Sequence, residues 1–248
     1  MTARGNRDRG HLARPRDAGG TLAVRVRPFV VAIDGPAASG KGTLARCLAE
    51  RFSFAHLDSG KLYRATALLV LAAGADPADP DAAVAGARRI SPAALGDPRL
   101  TSEAVARASS ILSALPAVRA ELLTMQRDFA AHPPVLAGDV TPRGAVIDGR
   151  DIGTVVCPDA AVKLFVTASP AMRAERRVKE LRERGAPAIY GDVLRDMKER
   201  DARDSLRRVA PLAAAPDAVT IDTTGLDAGQ VFEQASDIIA RALAAHRL

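Results

Sequence analysis

Short apolar runs rich in β-branched residues alternate along the chain with stretches whose apolar positions recur every three or four residues. Phe29 to Ile33 (FVVAI) ends in a glycine-rich turn and reads as a buried parallel strand. Beyond the turn, Leu44, Ala45, Leu48 and Phe52 repeat at helical spacing, which gives strand, loop and helix in the order of a βα unit. Further short strands are expected at Ala55 to Leu57, Ala145 to Ile147, Val162 to Thr167 and Val219 to Ile221, separated by helical stretches. Strands that alternate with helices imply an α/β fold, here a five-stranded parallel sheet with helices on both faces. A last helix, about 227–243, carries Val231, Ala235, Ile238 and Ile239 on one side and should close the fold.

Residues 74–101, dense in Pro, Gly and Asp, read as a short helix between loops that leads from the sheet into a helical excursion over about 102–131. Residues 135–144 read as a surface loop ahead of the third strand. With 248 residues, 48% of them hydrophobic, one large core with excursions is expected. Aromatics make up 3% of the chain and Trp is absent, which disfavours a ring-stacking platform for nucleic acid. The longest largely apolar run, Ala65 to Ala73, is about half of what crosses a bilayer, so a soluble, cytoplasmic protein with no membrane partner is expected. Cys47 and Cys157 lie far apart and outside any CxxC pattern, and both are expected to be buried, reduced thiols.

The formal charge of +6 is concentrated at one end. Seven arginines against two aspartates before Phe29 supply +5 of it, in a stretch without apolar periodicity. Residues 1–28 are therefore expected to be a disordered, dispensable basic leader, a solvated tail rather than a transit peptide or a nucleic-acid-binding arm. The organised domain is expected to be 29–248.

Gly35-Pro36-Ala37-Ala38-Ser39-Gly40-Lys41-Gly42-Thr43 follows the first strand and opens the first helix, the setting in which a P-loop is expected. Its glycines let successive N–H groups turn onto phosphate oxygens, the helix N-terminus adds partial positive charge, and Lys41 can reach the β and γ phosphates. Gly42 stands where a GK[ST] loop has its Mg²⁺-binding hydroxyl, and the shift to Thr43 rotates that group about 100° around the helix. Thr43 is therefore expected to meet the metal only through water. Leu57-Asp58-Ser59-Gly60, followed by Tyr63 and Arg64, is by itself an ordinary strand-to-helix turn. Asp148-Gly149-Arg150-Asp151 ends a strand beside the P-loop, where Asp148 is placed to organise Mg²⁺ and its waters. Arg173, Arg176 and Arg177, and then Arg200, Arg203, Arg207 and Arg208 beyond Gly185-Ala186-Pro187, suit a mobile arginine-rich lid around a transferring phosphoryl group.

Together the segments VVAIDGPAASGKGTLARCLA, LDSGKLYR, VIDGRDIGTVVCPDAAVKLFVTAS and KERDARDSLRRVAPL resemble the successive motifs of the bacterial cytidylate kinase family, and the GKGT ending is typical of nucleoside monophosphate kinases. The resemblance implies a P-loop kinase fold with a monophosphate-binding excursion, about 74–131, and a lid, about 176–208. It implies transfer of a phosphoryl group from ATP, with Mg²⁺, to CMP or dCMP by a monomer. It also implies Arg64 and Arg150 at the acceptor phosphate, and Ser59, Ser110, Arg119, Asp151 and Arg207 around the cytosine. Arg200 and Asp204 would lie at the pentose, and Arg176 would be a lid cation. Lys41, Arg150, Arg176 and Arg200 are then the expected catalytic groups. Two readings stay open beside it: a P-loop kinase acting on UMP or AMP, and a P-loop regulatory nucleotide-binding module. Many family members carry a small antiparallel sheet in the excursion, and residues 90–101 are too short to supply it.

Overall fold

The computed structural model describes residues 28–207 and 209–246. The basic leader, apart from its last residue Pro28, and Arg208 lie outside the described residues. Five strands, β1 (Phe29–Asp34), β2 (Ala55–Asp58), β3 (Gly144–Gly149), β4 (Val162–Thr167) and β5 (Val219–Asp222), form one sheet in the order β2-β3-β1-β4-β5. Every pair is parallel, with Phe29 opposite Gly144 and Val31 opposite Val162. The five expected strands are thus present, each within two residues of its sequence-based bounds. The central strand β1 carries the P-loop at its carboxyl end, so its loop is flanked by the ends of β3 and β4, at the crevice where open α/β sheets bind ligands.

Helix α1 (Lys41–Phe52) packs with the closing helix α9 (Ala228–His246) on one face of the sheet, where Val31, Ile33, Leu44, Leu48, Leu164, Val231, Ala235 and Ile239 form one apolar cluster. Cys47 corrects an expectation: it is exposed, while Cys157 is buried. The inward stripe of α1 is Leu44, Ala45, Leu48 and Ala49, and the 3.6-residue period leaves position 47 outside it. On the opposite face Ala32, Ile147, Ile152 and Val156 form a second cluster.

Helices α2 (Ser59–Ala72), α3 (Pro80–Arg88), α5 (Glu103–Leu112) and α6 (Pro116–Ala131) enclose a third cluster that includes Leu62, Leu68, Leu100, Leu112, Val118 and Leu122. The excursion therefore shares its core with α2, the helix that leads into it. Residues 74–101 are more helical than their composition suggests, holding α3, the single turn α4 (Pro92–Leu95) and a 3-10 turn, Pro98–Thr101. Asp79, Ser91 and Asp97 each cap the following turn with a side-chain oxygen, and a proline stands directly after each cap. The prolines that look like loop punctuation are first-turn residues, where their missing N–H costs nothing. No strand occurs in 74–131. Helices α7 (Pro170–Glu183) and α8 (Tyr190–Leu206) follow β4, separated by a connection in which Gly185 has a φ of 74°.

The junction between β1 and the P-loop has no space for a side chain. A Cβ on Gly35 would lie 2.0 Å from the Val166 carbonyl oxygen of the neighbouring strand. Backbone of two central strands must then separate, which places Gly35→Ala among the strongly destabilising substitutions of about 3 kcal/mol or more. Thermal unfolding of that variant should show a Tm lower by about 6 °C or more, and an unchanged Tm would contradict the close approach.

Candidate active site

The P-loop wraps from the end of β1 into the first turn of α1. Ala38 and Gly40 take φ values of 57° and 91°, and no side chain caps the first amides of α1. Those N–H groups remain available to an anion, with the helix dipole reinforcing them. Lys41 Nζ donates weakly across the loop to the Pro36 carbonyl at 3.5 Å. Burial, and next the nearby Arg150 guanidinium, push its pKa down to about 7. A lysine that holds its proton so loosely is short of neighbouring negative charge. A Cβ on Gly42 would lie 3.8 Å from Asp148 Oδ1, so position 42 faces that carboxylate, while Thr43 is exposed on the next position of the helix.

The end of β3 supplies the opposite wall. Asp148 is buried, with Oδ2 2.9 Å from His56 Nε2, and its carbonyl accepts the Ser59 hydroxyl at 2.7 Å. Gly149 makes this contact with α2 attainable, since a Cβ there would sit 2.5 Å from Ser59 Oγ. Directly behind it, Asp34 at the end of β1 accepts the Ile152 and Gly153 amides at 2.8 and 2.7 Å. Burial outweighs those two bonds and raises the Asp34 pKa to about 6.

Three arginines converge on one carboxylate. Asp204, buried on α8, lies 3.1 Å from Arg150 Nε, 3.8 Å from Arg207 Nη1 and 4.0 Å from Arg200 Nε. Burial alone would raise its pKa, but the three guanidinium groups hold it below the usual carboxylate range. Arg200, surrounded by protein and facing Arg150, is pushed down to about 10. Arg200 Nε and Arg207 Nη2 are buried without a hydrogen-bond partner, as is the hydroxyl of Ser39 in the P-loop. Buried donors of this kind are nearly always paired, so the two on Arg200 and Arg207, beside one carboxylate, point to a ligand with several acceptors, whereas Ser39 Oγ lies under the loop next to Gly35.

A second pairing lies deeper. Arg119 on α6 is ion-paired with Asp151, donates to the Ser113 carbonyl at 3.2 Å and lies over the Tyr63 ring, 5.5 Å from its centroid. Burial raises the Tyr63 pKa. Ser110 on α5 accepts from Arg203 Nε at 3.3 Å, linking the excursion to α8. Arg64 donates to the Leu100 carbonyl at 3.2 Å, and burial lowers its pKa.

Of the residues singled out from sequence, Lys41, Asp148, Arg150, Arg200, Asp204 and Arg207 thus surround the crevice, and Arg119 and Asp151 form its buried pair. Arg176 lies against the P-loop, 4.0 Å from where a Cβ on Gly40 would stand, with its donors engaged: it donates to Thr223 Oγ1 and O at 2.8 and 2.7 Å and to the Ser39 carbonyl at 3.4 Å. A role at a transferring phosphoryl group requires those bonds to be exchanged. Arg173 braces the same loop, donating to Ala37 O and pairing with Asp201. Sequence reasoning passed over Asp34, His56 and Thr223. The acidic residue between FVVAI and Gly35 was a visible signal for the first, and a histidine inside a short strand for the second. Nothing local marks Thr223.

Comparison with known proteins places the chain among relatives of one kind. The cytidylate kinase family model matches residues 31–241. A cytidylate kinase from Rhodospirillum rubrum is 58% identical over 212 residues, which is 86% of this chain and 97% of that protein. Those from Paramagnetospirillum magneticum and Rhodopseudomonas palustris (strain TIE-1) are 55% and 50% identical, covering 85% and 88% of this chain and 97% and 99% of theirs.

The depressed pKa of Lys41 has a measurable consequence. In the anion-free protein the group loses its proton above about pH 7, and bound phosphates restore the higher value. At pH 8, where nucleotide phosphates are fully ionised, binding of ATP should take up a large fraction of one proton. Calorimetry in buffers of different ionisation enthalpy reads this directly. Lys41→Ala should abolish the uptake and lower kcat by about a hundredfold or more. Uptake that persists in Lys41→Ala would assign the proton to another group.

Proposed function

The chain belongs to the cytidylate kinase family, and from that premise we propose that it transfers the γ-phosphoryl group of ATP to CMP or dCMP, giving ADP and CDP or dCDP, at the crevice between the P-loop and the Arg150, Arg200 and Arg207 cluster. The observation that carries the placement is that cluster, whose three guanidinium groups share one carboxylate and two of which, Arg200 and Arg207, retain an unpartnered buried donor. The pentose hydroxyls beside Arg200 and the base oxygen beside Arg207 supply the missing acceptors, while the acceptor phosphate meets Arg150.

The acceptor phosphate is already a nucleophile, so catalysis rests on alignment and on neutralising charge rather than on a strong protein base. Gly35 to Thr43 cradle the ATP phosphates and Lys41 takes the transferring group, while Arg64 and Arg150 hold the acceptor phosphate. Arg200 and Asp204 lie at the pentose. Ser59, Ser110, Arg119, Asp151 and Arg207 surround the cytosine. Residues 29–248 act as one kinase unit, in which 74–131 serves as the acceptor-binding excursion and 176–208 as the lid, with Arg176 joining the site as that lid closes.

Mg²⁺ fits this arrangement as a companion of the nucleotide. The described residues hold no group of three or more His, Cys, Asp or Glu side chains that could cage an ion. Asp148 faces Gly42, where no hydroxyl intrudes, and with Thr43 would meet the ion through water. When bound, the ion would neutralise charge on the donor phosphates. No helix among the described residues is long and apolar enough to cross a membrane. On this reading the protein works on small molecules as a cytoplasmic monomer, without a nucleic-acid or membrane partner.

Cytosine presents an amine where uracil presents a carbonyl, so the Asp151 carboxylate gains a hydrogen bond from one base and faces a repelling oxygen in the other. ADP release measured in parallel with CMP, dCMP, UMP, AMP and GMP should favour CMP over UMP by at least about tenfold in kcat/KM. Equal values for the two would move the assignment to a general pyrimidine monophosphate kinase.

A further inference from the structure

Asp151 stands at the N-cap position of the short π-helical turn Ile152–Val156, yet its side chain makes no capping bond there. An aspartate in that position ordinarily bonds the first free amides of its own turn. Here the two leading amides, those of Ile152 and Gly153, are taken by the two oxygens of Asp34 at 2.8 and 2.7 Å. Asp34 comes from a different strand, and it is buried directly before the P-loop. Asp34 is enclosed there, with only 4% of its surface exposed. Because Asp34 caps the turn from outside, the Asp151 carboxylate is released from that duty and is ion-paired with Arg119.

We propose that Asp34 is the positioning residue for acceptor-base recognition: by capping the Ile152–Val156 turn it sets the Asp151–Arg119 pair and ties it to the root of the P-loop. The inference rests on the reading of Asp151 and Arg119 as the groups that meet the cytosine. Asp34 touches no substrate in this account. Its effect passes through two backbone amides, so it should govern how well the base is discriminated and leave the affinity for ATP alone.

Asp34→Asn keeps the size but replaces one acceptor oxygen with an NH₂ group that opposes an amide donor. The expected result is a rise in KM for CMP of about tenfold and a CMP-over-UMP preference reduced by a similar factor, the scale set by one mispaired buried polar group. The Kd for ATP, measured without acceptor, should stay within about twofold, and exchange of the Ile152 and Gly153 amides should accelerate about tenfold or more. A parallel loss of CMP and ATP binding, or an unchanged CMP-over-UMP ratio with accelerated exchange, would overturn the inference. Asp151→Ala separates the two levels of the argument. If its base preference is unchanged, the reading of Asp151 fails; if Asp151→Ala loses the preference and Asp34→Asn keeps it, the positioning role fails alone. Should Asp34→Asn not fold, Asp34→Glu retains both acceptor oxygens and displaces them by one methylene. It should show the same loss of preference with ATP affinity kept, and a normal CMP-over-UMP ratio in Asp34→Glu would overturn the inference.

Discussion

An excess of cations held around a single buried carboxylate sets the character of this molecule. Asp204 is 3.1 Å from Arg150 and within 4.0 Å of Arg200 and Arg207, and Arg150 stands close enough to Lys41 to disfavour the charge on the lysine. Burial first, and next repulsion from Arg150, depress the pKa values of Lys41 and Arg200, and the carboxylates nearby, Asp148 and Asp58 for Lys41 and Asp204 for Arg200, offset this only in part. Removing one partner from a buried ion pair costs about 3–5 kcal/mol because the other is left uncompensated. Asp204 on the arginine side and Asp148 beside Lys41 thus make the empty crevice tolerable, and entering phosphates bring it closer to balance. Stability and substrate binding draw on the same groups.

The sheet order makes that convergence attainable. With β1 between β3 and β4, the P-loop and the Asp148-Gly149-Arg150-Asp151 turn leave neighbouring strand ends, and α8 brings Arg200, Asp204 and, just beyond it, Arg207 across the gap from the lid side. Two glycines keep the layers at the required separation, Gly35 against Val166 and Gly149 against Ser59. Most of the excursion packs with α2 in the third apolar cluster, while its α6 also reaches the sheet and places Ala130 in the cluster of Ala32, Ile147 and Ile152. It presents Arg119 and Ser110 to the crevice, held to α8 by the Arg203–Ser110 bond, to α7 by the Arg177–Glu103 ion pair and to the turn after β3 by the Arg119–Asp151 pair and the Arg127 bonds to the Val155 and Val156 carbonyls.

Much of this was legible in the sequence, for physical reasons that differ from place to place. The central strands β1 and β3 were readable because a strand buried on both faces must be continuously apolar, whereas the edge strands β2 and β5, half-buried or exposed, were readable only as short apolar segments between helical stretches. The P-loop was readable because backbone approach to phosphate demands glycine at fixed spacing. Residues 74–101 were misread because proline after an acidic or hydroxyl residue serves a loop and a capped first turn equally well, and only packing of Ala83, Ala87 and Leu100 decides between them. Cys47 was misplaced because a small apolar residue fits either side of an amphipathic helix. Asp34 escaped notice since its partners, the Ile152 and Gly153 amides, are more than a hundred residues away, and Thr223 meets Arg176 only through the fold.

The central claim is that this crevice moves a phosphoryl group straight from one bound nucleotide to another by alignment and charge balance. Incubation with ATP labelled in its γ-phosphate, with and without CMP, tests that most directly. The account predicts that label appears in the β position of CDP only when CMP is present, with none bound to protein and little released to water in its absence. Label retained on the denatured protein, or phosphate released at a comparable rate without CMP, would contradict it.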